Sequence, residues 1–160
     1  MKKSWYANWK QVRLKRIIEV LGKSWFEDKN ILELGCAHGD IGLELSNLGA
    51  DVTFADGRQD HLNTIILNHP QAKTHLIDQN DYYNLIYKYD LILHLGTLYH
   101  LKNWEKDLSC ALSHSDLMIL ETRVYPFDLK KPFVYTDDYF DYDNPYNGLD
   151  NSFGVFDEKS

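Results

Sequence analysis

Apolar positions in this chain follow two rhythms, helical spacing and short unbroken runs, which alternate from the first residues to about Glu121. Trp5, Trp9, Val12, Arg16 or Ile17, Val20 and Leu21 recur at helical spacing, so an amphipathic helix is expected, with Gly22 near its end. Its tryptophans are expected to pack on the sheet beneath. Apolar runs predict strands over Asn30–Leu34, Asp51–Ala55, Lys73–Ile77, Asp90–Leu95 and Leu117–Glu121. Helices are expected over Ile41–Leu48, stopping near Gly49, over Gln59–Asn68, ended by Pro70, over Tyr82–Tyr87 as a short piece, and over Trp104–Leu112. Strands alternating with helices imply an α/β fold, a three-layer sandwich around a mainly parallel sheet in the order 3-2-1-4-5.

From Tyr125 onward the rhythm stops. The chain becomes rich in Pro, Asp, Asn and Tyr, with short apolar pieces at Pro132–Tyr135 and Ser152–Phe156. The 160 residues therefore read as one domain: a helical cap (1–30), a core (31–121) and a short tail (122–160) that leaves a reduced C-terminal edge. An incomplete sheet edge invites pairing, and a homodimer is an expectation on that ground.

Composition narrows the class. Apolar residues make up 44% and aromatics 14%, which excludes a disordered chain. Cys36 and Cys110 are too few and too separated for a disulfide framework or a zinc site. With no signal-peptide core and no apolar run near the roughly 20 residues that cross a bilayer, a cytoplasmic protein without membrane association is expected. The net charge of −7 hides an asymmetry, because residues 1–30 are rich in Lys and Arg while Thr136–Glu158 carries seven acids and no base. Bulk nucleic acid is an unlikely partner, although the basic first helix keeps RNA open as a substrate. The acidic tail lacks compact ligand spacing and reads as a solvated loop, so no metal is expected.

The candidate chemistry lies in ILELGCAHGDIGLELSNLGADVTFAD, Ile31 to Asp56. A strand runs into Glu33 and then into a turn with Gly35 and Gly39. A helix follows, and a second strand ends on Asp56. This βαβ unit suits a nucleoside, since backbone can approach where side chains are missing and an acid can accept hydrogen bonds from ribose hydroxyls. A dinucleotide fingerprint needs G-x-G-x-x-G with pyrophosphate on the helix N-terminus. Here Ala37 and Asp40 replace the second and third glycines, and Asp40 would repel a phosphate.

These residues resemble the class I (Rossmann-like) S-adenosylmethionine-dependent methyltransferases, whose first motif reads E-x-G-x-G-x-G and whose second strand ends in an acid. Glu33, Gly35 and Gly39 match, and Ala37 stands where the middle glycine is usual. The resemblance continues in KTHLIDQND, where Asp78 follows a third strand at the position of an acid beside the adenine amino group. It also covers YDLILHLGTLYHL, Tyr89 to Leu101, similar to a fourth motif that faces donor and acceptor. NPYNGLDNSFG resembles a substrate-side loop of some small methyltransferases. The resemblance implies S-adenosyl-L-methionine as cofactor, held by Glu33, Gly35, Cys36, Ala37, Gly39, Asp56, Gly57, Asp78 and Gln79. Methyl transfer to O or N of a small-molecule or sugar-like acceptor follows from it, and a non-catalytic cofactor-binding or partner module and an RNA methyltransferase are the alternatives.

Methyl transfer is an in-line displacement, so an enzyme mainly holds the nucleophile and excludes water, and a base helps where the acceptor must lose a proton. His100, and less so His94, is expected as base or orienter, with Tyr99 beside them facing the acceptor. Each histidine read alone is equally a structural, hydrogen-bonded residue. His38 is expected to line the cofactor mouth, and Glu121, Arg123 and Tyr125 to leave the last strand toward a substrate or a surface loop. Cys36 reads as a packing residue.

Overall fold

The structure, a computed structural model, describes residues 2–122, with side chains from Trp9 onward. Arg123, Tyr125 and the tail pieces named above lie outside the described residues. The elements are α1 (Lys2–Leu21), β1 (Asn30–Leu34), α2 (Asp40–Ser46), β2 (Asp51–Asp56), α3 (Gln59–Asn68), β3 (Lys73–Leu76), β4 (Leu91–Leu95), α4 (Trp104–Leu112) and β5 (Met118–Glu121), with single 3₁₀ turns at Lys23–Phe26 and Leu98–His100. All strand pairs are parallel in the order β3-β2-β1-β4-β5, as the alternation of elements implies.

β1 is the centre of this sheet, and its register sets Ile31 opposite Val52 on one side and Leu91 on the other. Alternate residues of each strand feed opposite layers. Ile31, Val52, Phe54, Leu91 and Leu93 pack with Ile17 of α1, Ile41 and Leu45 of α2, and Leu62 and Ile65 of α3. Leu32, Leu34, Ala55 and Ile92 pack on the other face with Ala111 of α4 and with Ile77, Tyr83, Leu85 and Tyr89. Among the described residues no helix is long and apolar enough to cross a membrane.

Two local expectations fail. The segment Tyr82–Tyr87 is not helical. Tyr83, Leu85 and Tyr89 are buried while Tyr82, Ile86 and Tyr87 are exposed, and the alternation from Tyr82 to Ile86 suits an extended cover over the sheet. The cover is pinned by Tyr83, whose hydroxyl donates to Asp107 Oδ1 at 2.8 Å and whose carbonyl receives the Cys110 thiol at 3.0 Å. In α1 the inward stripe is Trp9, Arg13, Ile17 and Leu21, whereas Val12 and Val20 are exposed.

α2 lies close on the sheet because Gly42 faces it without a side chain. A Cβ there would stand 2.5 Å from Glu33 Oε2 and 2.6 Å from the Phe54 ring. Gly42→Ala is expected to lower stability by about 1–3 kcal/mol through overpacking, read as a lower urea midpoint. An unchanged midpoint would show that the layer has slack.

Candidate functional site

The turn between β1 and α2 has an unusual backbone. Gly35, Ala37 and Gly39 take φ of 65°, 48° and 72°, so left-handed residues occur at every second position. Ala37 thus occupies a conformation glycine adopts freely, at a strain of about 1–2 kcal/mol for a residue with a Cβ. Hydrogen bonds hold it there: Ala37 N–H donates to Asp56 Oδ2 at 2.8 Å, Cys36 N–H to the Ala55 carbonyl at 3.0 Å, and Gly39 N–H to the Cys36 carbonyl at 2.8 Å. The turn after β1 is therefore tied to the end of β2.

A cleft opens above this turn at the C-terminal ends of the strands, the usual ligand position in such sheets. Glu33, Gly35, Cys36 and Ala37 form one wall, and Asp56, Gly57 and Arg58 continue it along β2. Asp78 and Gln79 also line it, as do Gly96, Thr97, Tyr99 and His100 of the loop after β4. α1 supplies a further wall through Trp9, Lys10 and Arg13. Gly35 is required for this shape, because a Cβ there would lie 2.0 Å from Thr97 Oγ1 and drive the β4 loop away.

Eight of the nine expected cofactor residues line the cleft; Gly39 does not. It is buried, and a Cβ on it would press on Phe54 at 2.9 Å, so its role is to dock the turn on the core. Asp78 lines the cleft while also capping its own turn, its Oδ1 accepting the Asn80 N–H at 2.9 Å.

Tyr99 and His100 come together in the cleft, their ring centroids 4.3 Å apart. His94 does not join them. It is fully buried on the face covered by α4, with Nε2 2.6 Å from Asp107 Oδ2, and Asp107 also accepts from Gln79 Nε2 at 3.1 Å. The alternation of β4 explains the correction, since His94 shares its face with Ile92 and follows it into the lower layer. His38 likewise misses the cleft wall and stands edge-on to His61, with burial and the neighbouring His61 holding its pKa below the usual histidine value. His61 itself lines the cleft.

Sequence reasoning missed Lys10, Arg13, Arg58 and His61, and placed Trp9 in the core. The Arg13 guanidinium lies 3.1 Å from the Trp9 ring centroid and donates to both Glu121 carboxylate oxygens at 2.5 Å. Lys10 pairs with Asp40. These pairs clasp α1 to the end of β5 and the start of α2. A cation on the inward stripe of α1 was the available signal for Arg13; nothing in the sequence marks His61.

Electrostatically the cleft is dominated by buried acid. Glu33 accepts the Gly42 N–H at 3.0 Å, and burial raises its pKa from 4.5 to about 8 despite that bond and nearby Arg13. The Cys36 thiol is pushed far up, chiefly by burial and then by Glu33 and Asp56, so it is no nucleophile at neutral pH.

The family model described as "Methyltransferase domain" matches residues 6–152. The chain belongs to this methyltransferase-domain family. Among solved structures, the N-terminal domain of EvdMO1 with SAH bound is similar at 21% identity and TM-score 0.71, over 94% of this chain and 67% of that one. A S-adenosylmethionine-dependent methyltransferase from Clostridium acetobutylicum is similar at 19% identity and TM-score 0.62, over 78% of this chain and 56% of that one. Coclaurine N-methyltransferase, bound to N-methylheliamine and SAH, gives 20% identity and TM-score 0.56, over 66% of this chain and 33% of that one. These likenesses show the fold, and the methyltransferase domain here spans one third to two thirds of the lengths of those proteins. No curated protein sequence matches the chain.

The Glu33 shift has a measurable sign. Between roughly pH 5 and 8 the unfolded chain has released the Glu33 proton while the folded chain keeps it, so this group lowers stability as pH rises through that window. Glu33→Gln keeps an acceptor for Gly42 N–H. Relative to wild type it is expected to gain stability from pH 5 to pH 8, by on the order of a few kcal/mol at most, in urea titrations at both pH values. A constant difference between the two proteins would contradict the buried-acid account.

Proposed function

We propose that this cleft binds S-adenosylmethionine and that the chain transfers its methyl group to O or N of a small-molecule or sugar-like acceptor. The observation that carries the reading is the union of the Gly35 turn with two acids, Glu33 and Asp56, in one cleft. The residues fit the cofactor on their own chemistry. Asp56 retains acceptor capacity on Oδ2 for a ribose hydroxyl. Glu33 is a buried acid whose ionised form a cationic ligand would favour. Asp78 and Gln79 would hold the adenine end. When bound, the cofactor supplies an electrophilic methyl group on a sulfonium.

What the chain adds is position and exclusion of water. Tyr99 and His100 on the 3₁₀ turn line the cleft next to Thr97 and Gly96, where an acceptor would approach. An imidazole trades a proton near neutral pH, so His100 would orient a hydroxyl acceptor or take its proton. Trp9, stacked by the Arg13 guanidinium, adds aromatic surface to the cleft wall that suits a small organic acceptor. The complex of coclaurine N-methyltransferase with N-methylheliamine and SAH supports this acceptor class.

Calorimetry with S-adenosylmethionine and S-adenosylhomocysteine tests the reading. Saturable binding is expected, and Asp56→Ala should weaken it by roughly 1–3 kcal/mol through the lost charged hydrogen bond. Folded protein that binds neither compound would overturn the proposal, and unchanged affinity in the variant would remove Asp56 from the site.

A further inference from the structure

Asp56 is largely occupied before any ligand arrives. A carboxylate offers about four lone-pair directions. Oδ1 accepts the Arg58 N–H at 2.8 Å and the His61 ring at 3.1 Å, while Oδ2 accepts the Ala37 N–H at 2.8 Å. A single direction on Oδ2 is left. An ionised carboxylate cannot donate, so His61 Nδ1 carries the hydrogen in their contact.

The far side of that ring makes the contact informative. His61 is 3% exposed, and its Nε2 is buried without a hydrogen-bond partner in the structure. Burying an unpaired polar atom is unfavourable. A phenylalanine would fill the same space without an orphaned nitrogen, so what the imidazole adds here is its bond to Asp56. The other two donors belong to the backbone of the adjoining loops. His61 is the member of the set that a rotamer change can withdraw.

We propose that His61 is a positioning residue that locks the Asp56 carboxylate so that it receives one ribose hydroxyl rather than two. The inference rests on the cofactor reading above and adds how its acid is oriented and how many hydroxyls it reads. A two-hydroxyl grip requires a second free direction, which exists when His61 lets go of Oδ1.

The test measures calorimetric binding of S-adenosylhomocysteine and its 2′-deoxy and 3′-deoxy analogues to wild type, Asp56→Ala, His61→Phe and His61→Asn, each first checked for folding by thermal melting. Wild type should lose at least about tenfold in affinity with one analogue and far less with the other. In Asp56→Ala that discrimination should vanish, and in His61→Phe it should extend to both analogues. His61→Asn, whose amide nitrogen stands where Nδ1 stood, should keep the wild-type pattern. Equal, Asp56-dependent losses with both analogues in wild type would overturn the inference, as would a wild-type pattern in His61→Phe. Should His61→Phe not fold, His61→Leu, which likewise lacks a donor to Asp56, takes its place with the same expected and overturning results. Failure of wild type to bind S-adenosylhomocysteine overturns the cofactor reading instead, and is seen before any analogue is added.

Discussion

The hydrogen bond from Ala37 N–H to Asp56 is the constraint on which the cleft depends. It joins the turn that leaves β1 to the tip of β2, the two chain segments that must stand at a fixed separation to face one ligand. The turn is strained at Ala37, and a charged acceptor is the kind of partner that offsets such strain. Gly35 serves the same geometry from the other side by letting Thr97 approach. Remove either feature and the two walls of the cleft no longer have a common reference.

Charge is arranged around that frame in an order set by depth. Glu33 is buried in the cleft wall and biased toward its neutral form, while Asp78, which also lines the cleft, is exposed. α1 brings Lys10 and Arg13 over the opening, but both are engaged with Asp40 and Glu121 at the ends of α2 and β5. These cations therefore join elements together as well as lining a wall. The first helix belongs to the site as much as to the cap.

The sheet was legible because each buried strand is an apolar run bounded by turn chemistry, and such runs alternating with helices admit few topologies. The Glu33 to Asp56 unit was legible for a related reason: glycines after a strand and an acid at the tip of the next are local features. Period decided the errors. Tyr82–Tyr87 contains enough apolar residues for a helix, yet only the odd positions Tyr83 and Leu85 reach the core. His94 lies in a strand-end motif expected to face donor and acceptor, although its parity in β4 sends it to the buried face. Gly39 matched a motif while serving packing, and His61 acts through a tertiary contact that no local spacing announces. Sequence shows which residues share a face, whereas the partner across a fold is set by packing.

The most direct measurement of the central claim is a crystal structure grown with saturating S-adenosylhomocysteine. The account predicts the adenosyl group lying along the cleft, a ribose hydroxyl within about 3.2 Å of Asp56 Oδ2, and the sulfur turned toward Tyr99 and His100. An empty cleft, or a ligand whose ribose faces away from Asp56, would contradict it.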